Sequence, residues 1–432
     1  MSACFVFQAL LYRQPPIMER LPGFRDFYPE PLPHTDAWSA DARQYLFSRW
    51  RSVARRYGFR EYDGPPLEAL ELFTAKSGEE IVGQLYNFQD KGERAVALRP
   101  EMTPTLARMI VSGERHYKKP IKWFAIPQLF RYERHQKGRL REHFQFNADI
   151  FGESSAAAEA ELVALLIDAL RALGLTEEDF VVRLSSRNAW QEFFRQRCSD
   201  ESKAYNFYQV IDKLEREENT TSEKNLAALG FSLAEVREYI EAGEPTAELR
   251  EILENLQARE LGGFVRVDYH VIRGLAYYTG VVFEVFDKKG EFRAIAGGGR
   301  YDNLVKLISG GKVDLPALGF GMGDVVLLEL LKARGLLPRF DADLDAMCLI
   351  EDEELRADSL QLIQHLRDRG FAVDYSFTPA RGDKQFKRAV ELNARYTFKV
   401  ERGTDGLVIR LRDLKKREEK IISPPEVSEY LK

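Results

Sequence analysis

The stretch FRYERHQKGRLREHFQFNADIFG, residues 130–152, decides how the rest of the chain is read. It joins the ends of two apolar-aromatic runs, IKWFAIPQLFRYE (121–133) and HFQFNADIFG (143–152), through the basic segment RHQKGRLRE. Two such runs around a charged connection predict a long antiparallel hairpin with an overhanging loop. Arg131 and Glu133 are two apart, so both project from one face of the first strand. The returning strand supplies Phe144, Gln145 and Asp149. The hairpin is thus expected to offer a rigid, permanently charged fork for an anion, carboxylates, and a ring that can stack on a base.

Upstream, residues 36–57 place Trp38, Leu46, Trp50 and Val53 at helical spacing, and Gly58 ends the pattern. FREYDGPPLE (59–68) reads as a strand broken by Pro65 and Pro66, hence an edge or interface strand. In LRPEMTPTLARMI (98–110), Glu101 and Thr103 sit two apart and could face a ligand ammonium together. Downstream of the hairpin, the helix after Ser155 carries Leu162, Leu165, Leu166, Leu170 and Leu173 and stops at Gly174. Residues 185–262, rich in Glu, Lys, Asn and Ala, read as a helical insertion. Strand patterning returns in FVRVDYHVIRGLAYYTGVVFEVFD (264–287) and AIAGGGRYDNLVKLI (294–308). A Gly-rich strand then runs into a helix in ALGFGMGDVVLLELLKARGLLP (317–338). Beyond a linker, residues 343–432 alternate strand and helix, the pattern of an α/β module with a largely parallel sheet.

Basic and acidic residues number 63 and 68, a net charge of −5 that gives no global attraction to nucleic acid, so any RNA contact must be local. Cys4, Cys198 and Cys348 are far apart, without metal or disulfide spacing, which fits a reducing compartment. No apolar run reaches the ~18 residues of a membrane span. The first seventeen residues make a poor targeting peptide and better suit a ragged start, with Met18 as the first true residue.

The ordered set F-R-x-E, basic loop, R-x-x-F resembles motif 2 of class II aminoacyl-tRNA synthetases. RGLAYYTG (273–280) resembles the first histidine-specific signature of histidyl-tRNA synthetases, commonly R-G-L-D-Y-Y, with Ala276 in place of the acid. AGGGRYDNL (296–304) resembles the second signature, and RPEMT (99–103) the R-P-E-x-T element. LPGFRDFYPE and the segment at Pro66 resemble the opening segment and motif 1, whose usual role is a dimer interface. The likeness runs from about Leu21 to the C-terminus and is densest between these motifs.

The resemblance implies an α+β catalytic domain built on an antiparallel sheet with flanking helices (18–184 and 263–337). It also implies the insertion (185–262), an anticodon-binding-like α/β domain (343–432) and an extension at 1–17. It implies ligation of L-histidine to tRNA(His) with ATP, through histidyl-adenylate, by a cytoplasmic homodimer. Arg131 and Arg273 are the expected catalytic cations. Arg131, Glu133, Arg139 and Phe144 are expected to hold ATP, with Mg²⁺ arriving on the nucleotide and no dedicated metal cage. Histidine is expected to meet Glu101, Thr103, Arg131, Gln145, Asp149, Arg273, Tyr277, Tyr278 and Tyr301, where the family usually has Glu at the Asp149 position. Arg134, Gln136 and Lys137 are expected at the tRNA acceptor end. Motif 3 departs from the pattern: Val326 stands where an Arg usually stacks on adenine, and Asp324 lies nearby. That departure keeps a second expectation open, a catalytically silent histidine-binding relative such as the regulatory subunit of ATP phosphoribosyltransferase. The intact Arg131, Glu133 and Arg273 and the C-terminal domain favour the enzyme.

Overall fold

The computed structural model describes residues 19–77, 83–132, 140–215, 217–272, 278–340, 344–404 and 406–431. Its contacts divide into two units, one spanning residues 19–27 and 36–337, the other 28–35 and 338–431.

The larger unit is organised by a nine-stranded sheet. Its strands are β1 (Arg60–Glu61), β2 (Ile121–Ala125), β3 (Gln128–Phe130), β4 (Glu142–Phe151), β5 (Phe180–Ser186), β6 (Val265–Val267), β7 (Val281–Asp287), β8 (Ala296–Arg300) and β9 (Ala317–Gly323). The order is β6-β5-β7-β8-β9-β4-β2-β1, with β3 paired to β4. Pairing is antiparallel except at the two edges, β5–β6 and β1–β2. The hairpin expected from sequence is present: β4 pairs with β3 through Gln128↔Phe144 and with β2 through Ala125↔Asn147. The 59–68 segment lies at the sheet edge, and its pairing with β2 stops before the prolines.

One face of the sheet is covered by helices α1 (Ala40–Arg56), α3 (Ala156–Arg171) and α10 (Asp324–Arg334). Ser39 caps α1 by accepting from the Ala42 N–H. Trp50 of α1 stacks on Phe146 of β4, which meets Phe320 of β9 edge-on. The opposite face carries α2 (Thr103–Gly113) and α9 (Asn303–Ile308), packed through Leu106, Ile110, Leu304 and Val305 against Phe151, Val282 and Ala317. Between β5 and β6 the described residues form five α-helices, α4 (Arg187–Arg195) to α8 (Ala247–Ala258). They enclose an aromatic cluster of Trp190, Phe193, Phe194, Phe207 and Phe231.

The smaller unit is a five-stranded sheet: β10 (Ala346–Cys348), β11 (Val373–Tyr375), β12 (Tyr396–Gly403), β13 (Gly406–Asp413) and β14 (Glu418–Ile422), in the order β11-β10-β12-β13-β14. The expectation of a largely parallel sheet is corrected here. β10 is parallel to both neighbours, but β12–β13 and β13–β14 are antiparallel. The connections after β12 are too short for the crossover that parallel strands need.

Candidate active site

The site is built by strand alternation. Along β4 the odd residues His143, Gln145, Asn147 and Asp149 share one face, and the even residues share the other. Register carries the odd face across the sheet: Asp149 pairs with Gly319, Gly319 with Gly299, and Gly299 with Val282. One row along, Asn147, Gly321, Gly297 and Glu284 are in register. Four glycines therefore floor the centre of this face.

Their absent side chains leave room for particular neighbours. A Cβ on Gly321 would stand 2.6 Å from the Gln145 amide carbon, and one on Gly299 would stand 2.9 Å from the Tyr278 ring. Asp149 is buried and receives a hydrogen bond from the buried Tyr301 hydroxyl. Burial lifts its carboxyl to about 7, against the pull of that hydrogen bond. Tyr278 is also buried, in the same cluster as Tyr301.

Arg131 lies just beyond β3. Its backbone N–H donates to the Arg141 carbonyl (2.9 Å), and its Nε donates to the Pro100 carbonyl (3.0 Å), the residue before Glu101. That bond ties the hairpin to the RPEMT segment, whose Thr103 opens α2. Glu101 and Thr103 are half-buried there. Asp149, Tyr278, Tyr301 and Gln145 are thus gathered on one glycine-floored face, and Arg131 is coupled to Glu101 and Thr103. The expectations at Glu133, Arg134, Gln136, Lys137, Arg139, Arg273 and Tyr277 lie outside the described residues, as does Ala276.

Phe144 does not share the face of Gln145 and Asp149, contrary to the reading from sequence. Its ring packs edge-on against Phe27 (6.0 Å) and Phe47 (5.2 Å), with the Arg43 guanidinium 5.4 Å from its centre. The residue on the ligand face is His143, one position earlier. Burial, then Arg131 and Arg25, depress its imidazole to about 3, so it is a neutral ring at physiological pH. Counting by twos from Gln145 finds it; matching by residue type does not.

The start of motif 3 is equally specific. Asp324, fully buried at the first turn of α10, accepts from Arg25 (2.9 Å) and from the Phe144 backbone N–H (3.0 Å). Arg25 also grips Glu142 (2.6 Å) and lies 4.6 Å over the Trp38 ring. Asp324 therefore points away from the ligand face and fastens α10 and the N-terminal segment to β4. Among the described residues no group of three or more His, Cys, Asp or Glu is placed to hold a metal ion. None of their helices is long and apolar enough to cross a membrane.

A profile of the family described as histidyl-tRNA synthetase matches residues 32–323, more than half the chain and the whole of the ligand face. The chain belongs to the histidyl-tRNA synthetase family. A relative named histidine–tRNA ligase in Opitutus terrae is 44% identical, covering 93% of this chain and 95% of the relative. A relative in Arabidopsis thaliana, named as the chloroplastic/mitochondrial histidine–tRNA ligase, is 39% identical over 86% of this chain and 78% of its own length. A histidyl-tRNA synthetase crystal structure from Nostoc superposes with a TM-score of 0.71 at 23% identity, covering 90% of this chain and 95% of that one, and so bears on the fold. The fold is accordingly the α+β, class II synthetase type that the sequence suggested.

Proposed function

We propose that the chain is a histidine–tRNA ligase that activates L-histidine with ATP and transfers the histidyl group to tRNA(His). The observation that carries this reading is the row Asp149–Gly319–Gly299 under Tyr301 and Tyr278: a buried acid and two phenols over a floor without side chains. An imidazole has two ring nitrogens, each needing a polar partner when buried. Asp149 and Tyr278 serve them, with Tyr301 fixing the carboxyl and Tyr277 completing the wall. Glu101, Thr103 and Gln145 take the α-ammonium.

In the first step the substrate carboxylate attacks the α-phosphorus of ATP, and pyrophosphate leaves. Arg131 and Arg273 neutralise the charge that builds on the phosphorus oxygens from two sides, so positioning and preorganised charge supply most of the acceleration. Glu133 and Arg139 hold the nucleotide. His143, in place of the Phe144 expected from sequence, lies flat on the adenine. A neutral ring there stacks without repelling Arg131. Mg²⁺ on the phosphates would add positive charge, and Glu284, in register on the same face, would help to hold it. Arg134, Gln136 and Lys137 meet the tRNA acceptor end and neutralise its phosphates. In the second step the terminal ribose hydroxyl of the tRNA attacks the adenylate carbonyl, and AMP leaves.

In this reading 18–184 and 263–337 form the catalytic domain, 185–262 an insertion and 343–432 an anticodon-binding domain. The enzyme acts as a homodimer in the cytoplasm. The test is amino-acid-dependent ATP–pyrophosphate exchange with all twenty amino acids, followed by charging of tRNA(His). Exchange with histidine alone is expected. Histidine binding without exchange would sink the reading in favour of a silent relative.

A further inference from the structure

Two hydroxyl oxygens at the edge of the ligand face, those of Tyr62 and Thr105, are sealed from solvent with no hydrogen-bond partner among the described residues. Such atoms are uncommon in a finished protein and need an explanation. Tyr62 follows β1, and its backbone N–H donates to the Phe124 carbonyl (2.9 Å). In the parallel register Arg60 sits beside Trp123, so Tyr62, two further on, shares the face of Trp123. Trp123 is in turn the direct partner of Asp149. The Tyr62 ring lies 5.7 Å from the Trp123 ring, tilted by 34°. It packs on the cluster that holds Tyr278 and Tyr301. Burial, then the Asp149 carboxylate, raise its phenol well above the ordinary value, so it stays a neutral donor facing an acid.

The segment is fixed in place. Buried Arg99 donates to the Gly64 carbonyl (2.6 Å) and to Asp63 (3.2 Å). A Cβ on Gly64 would stand 2.6 Å from the Thr105 methyl of α2. The hydroxyl is therefore preorganised, beside an acid one methylene shorter than the Glu of the usual family pattern.

We infer that Tyr62 is a specificity-determining positioning residue of the amino-acid pocket, whose hydroxyl, from the Trp123 side, donates in the substrate complex to the Asp149 carboxylate that meets the imidazole. This rests on the ligase reading above. A donor left unpaired in the empty site that holds Asp149 against the bound ring favours the correct amino acid, because an analogue without the ring nitrogens gains nothing from a well-placed carboxylate.

The test is Tyr62→Phe, which removes one oxygen and keeps the ring. In pyrophosphate exchange the KM for histidine is expected to rise about tenfold, with the KM for ATP within twofold and the melting temperature not lowered. Inhibition by β-(2-thienyl)alanine, which has the size but no ring nitrogen, is expected to be unchanged. A histidine KM within twofold of the parent would overturn the inference. So would a parallel loss of histidine, thienylalanine and ATP affinity, which marks a packing defect. Failure of the unmutated protein to exchange with histidine instead condemns the ligase reading. Calorimetric titration with histidine of parent and variant then still decides the role of Tyr62.

Discussion

Gly319 lies directly across the sheet from Asp149, so close that a Cβ on Gly319 would stand 1.9 Å from the Asp149 Oδ1. Carboxylate and glycine occupy one place between them. Gly319→Ala is expected to push the Asp149 side chain off the ligand face. The KM for histidine should rise at least about a hundredfold, with a stability loss of ~1–3 kcal/mol from overpacking. Calorimetric titration with histidine and urea unfolding would measure the two separately. A histidine affinity within a few-fold of the parent would show that Asp149 does not hold the substrate.

His143 and Asp149 titrate against each other. Asp149 rises on folding from 3.8 to about 7, so the folded state binds the extra proton, and stability falls as pH climbs through that window. His143 drops from 6.5 to about 3, so the unfolded state binds the extra proton, and stability falls as pH descends through its window. Between about pH 4 and 6.5 the two slopes oppose. Asp149→Asn is expected to leave the His143 slope exposed, giving a protein that weakens as pH drops below ~6.5. His143→Gln should leave the Asp149 slope, giving one that weakens as pH rises from ~4 to 7. Chemical unfolding at stepped pH reads both, and identical profiles for the two variants would refute the pairing.

His143→Ala and Phe144→Ala should fail in different ways. The first is expected to raise the KM for ATP about tenfold or more, the size of one lost base-stacking contact, with little change for histidine. The second removes a ring packed on Phe27 and Phe47. It should cost roughly 2–4 kcal/mol of stability while leaving the KM for ATP nearly unchanged at a temperature where the protein is folded. Exchange kinetics beside thermal melts separate the two, and a reversed pattern would restore the assignment made from residue type alone.

Arg25→Met strands two carboxylates in the interior and is expected to cost about 3–5 kcal/mol in urea unfolding. Neutralising the partners as well, in Arg25→Met/Glu142→Met/Asp324→Asn, should recover more than half of that loss, because the Asn can still accept from the Phe144 N–H. A triple variant no better than the single one would mean that the ions are not what stabilises the cluster.

The central fold was legible because its signals are local. Apolar runs, the basic connection and the glycine spacing mark the hairpin and the Gly-rich strands without knowledge of partners. Asp149, Tyr278 and Tyr301 could be named in advance by resemblance, and register then gathers them on one face. Phe144 was misplaced because a stacking ring was sought by type, whereas the pleat fixes orientation by parity. Tyr62 was passed over because its segment reads as an interface edge. Only the sheet order, which sets β2 between β1 and β4, puts its hydroxyl near Asp149. The Arg25–Asp324 contact spans 299 positions, and no periodicity encodes such a pair. The smaller unit was misjudged for a related reason: alternating strand and helix signals do not specify how the last strands return.

The Arg25, Glu142 and Asp324 cluster also limits which single substitutions the start of this motif helix can absorb. Replacing Asp324 by a neutral residue leaves Arg25 with one fewer counter-charge, and, where that residue cannot accept, leaves the Phe144 amide without its partner. The three positions lie far apart in the chain and meet at one point in the fold, so a substitution at one is felt at the other two. Each single substitution that removes a charge from the cluster passes through a protein with a buried, mismatched charge, so the cluster itself holds the start of this helix as it is.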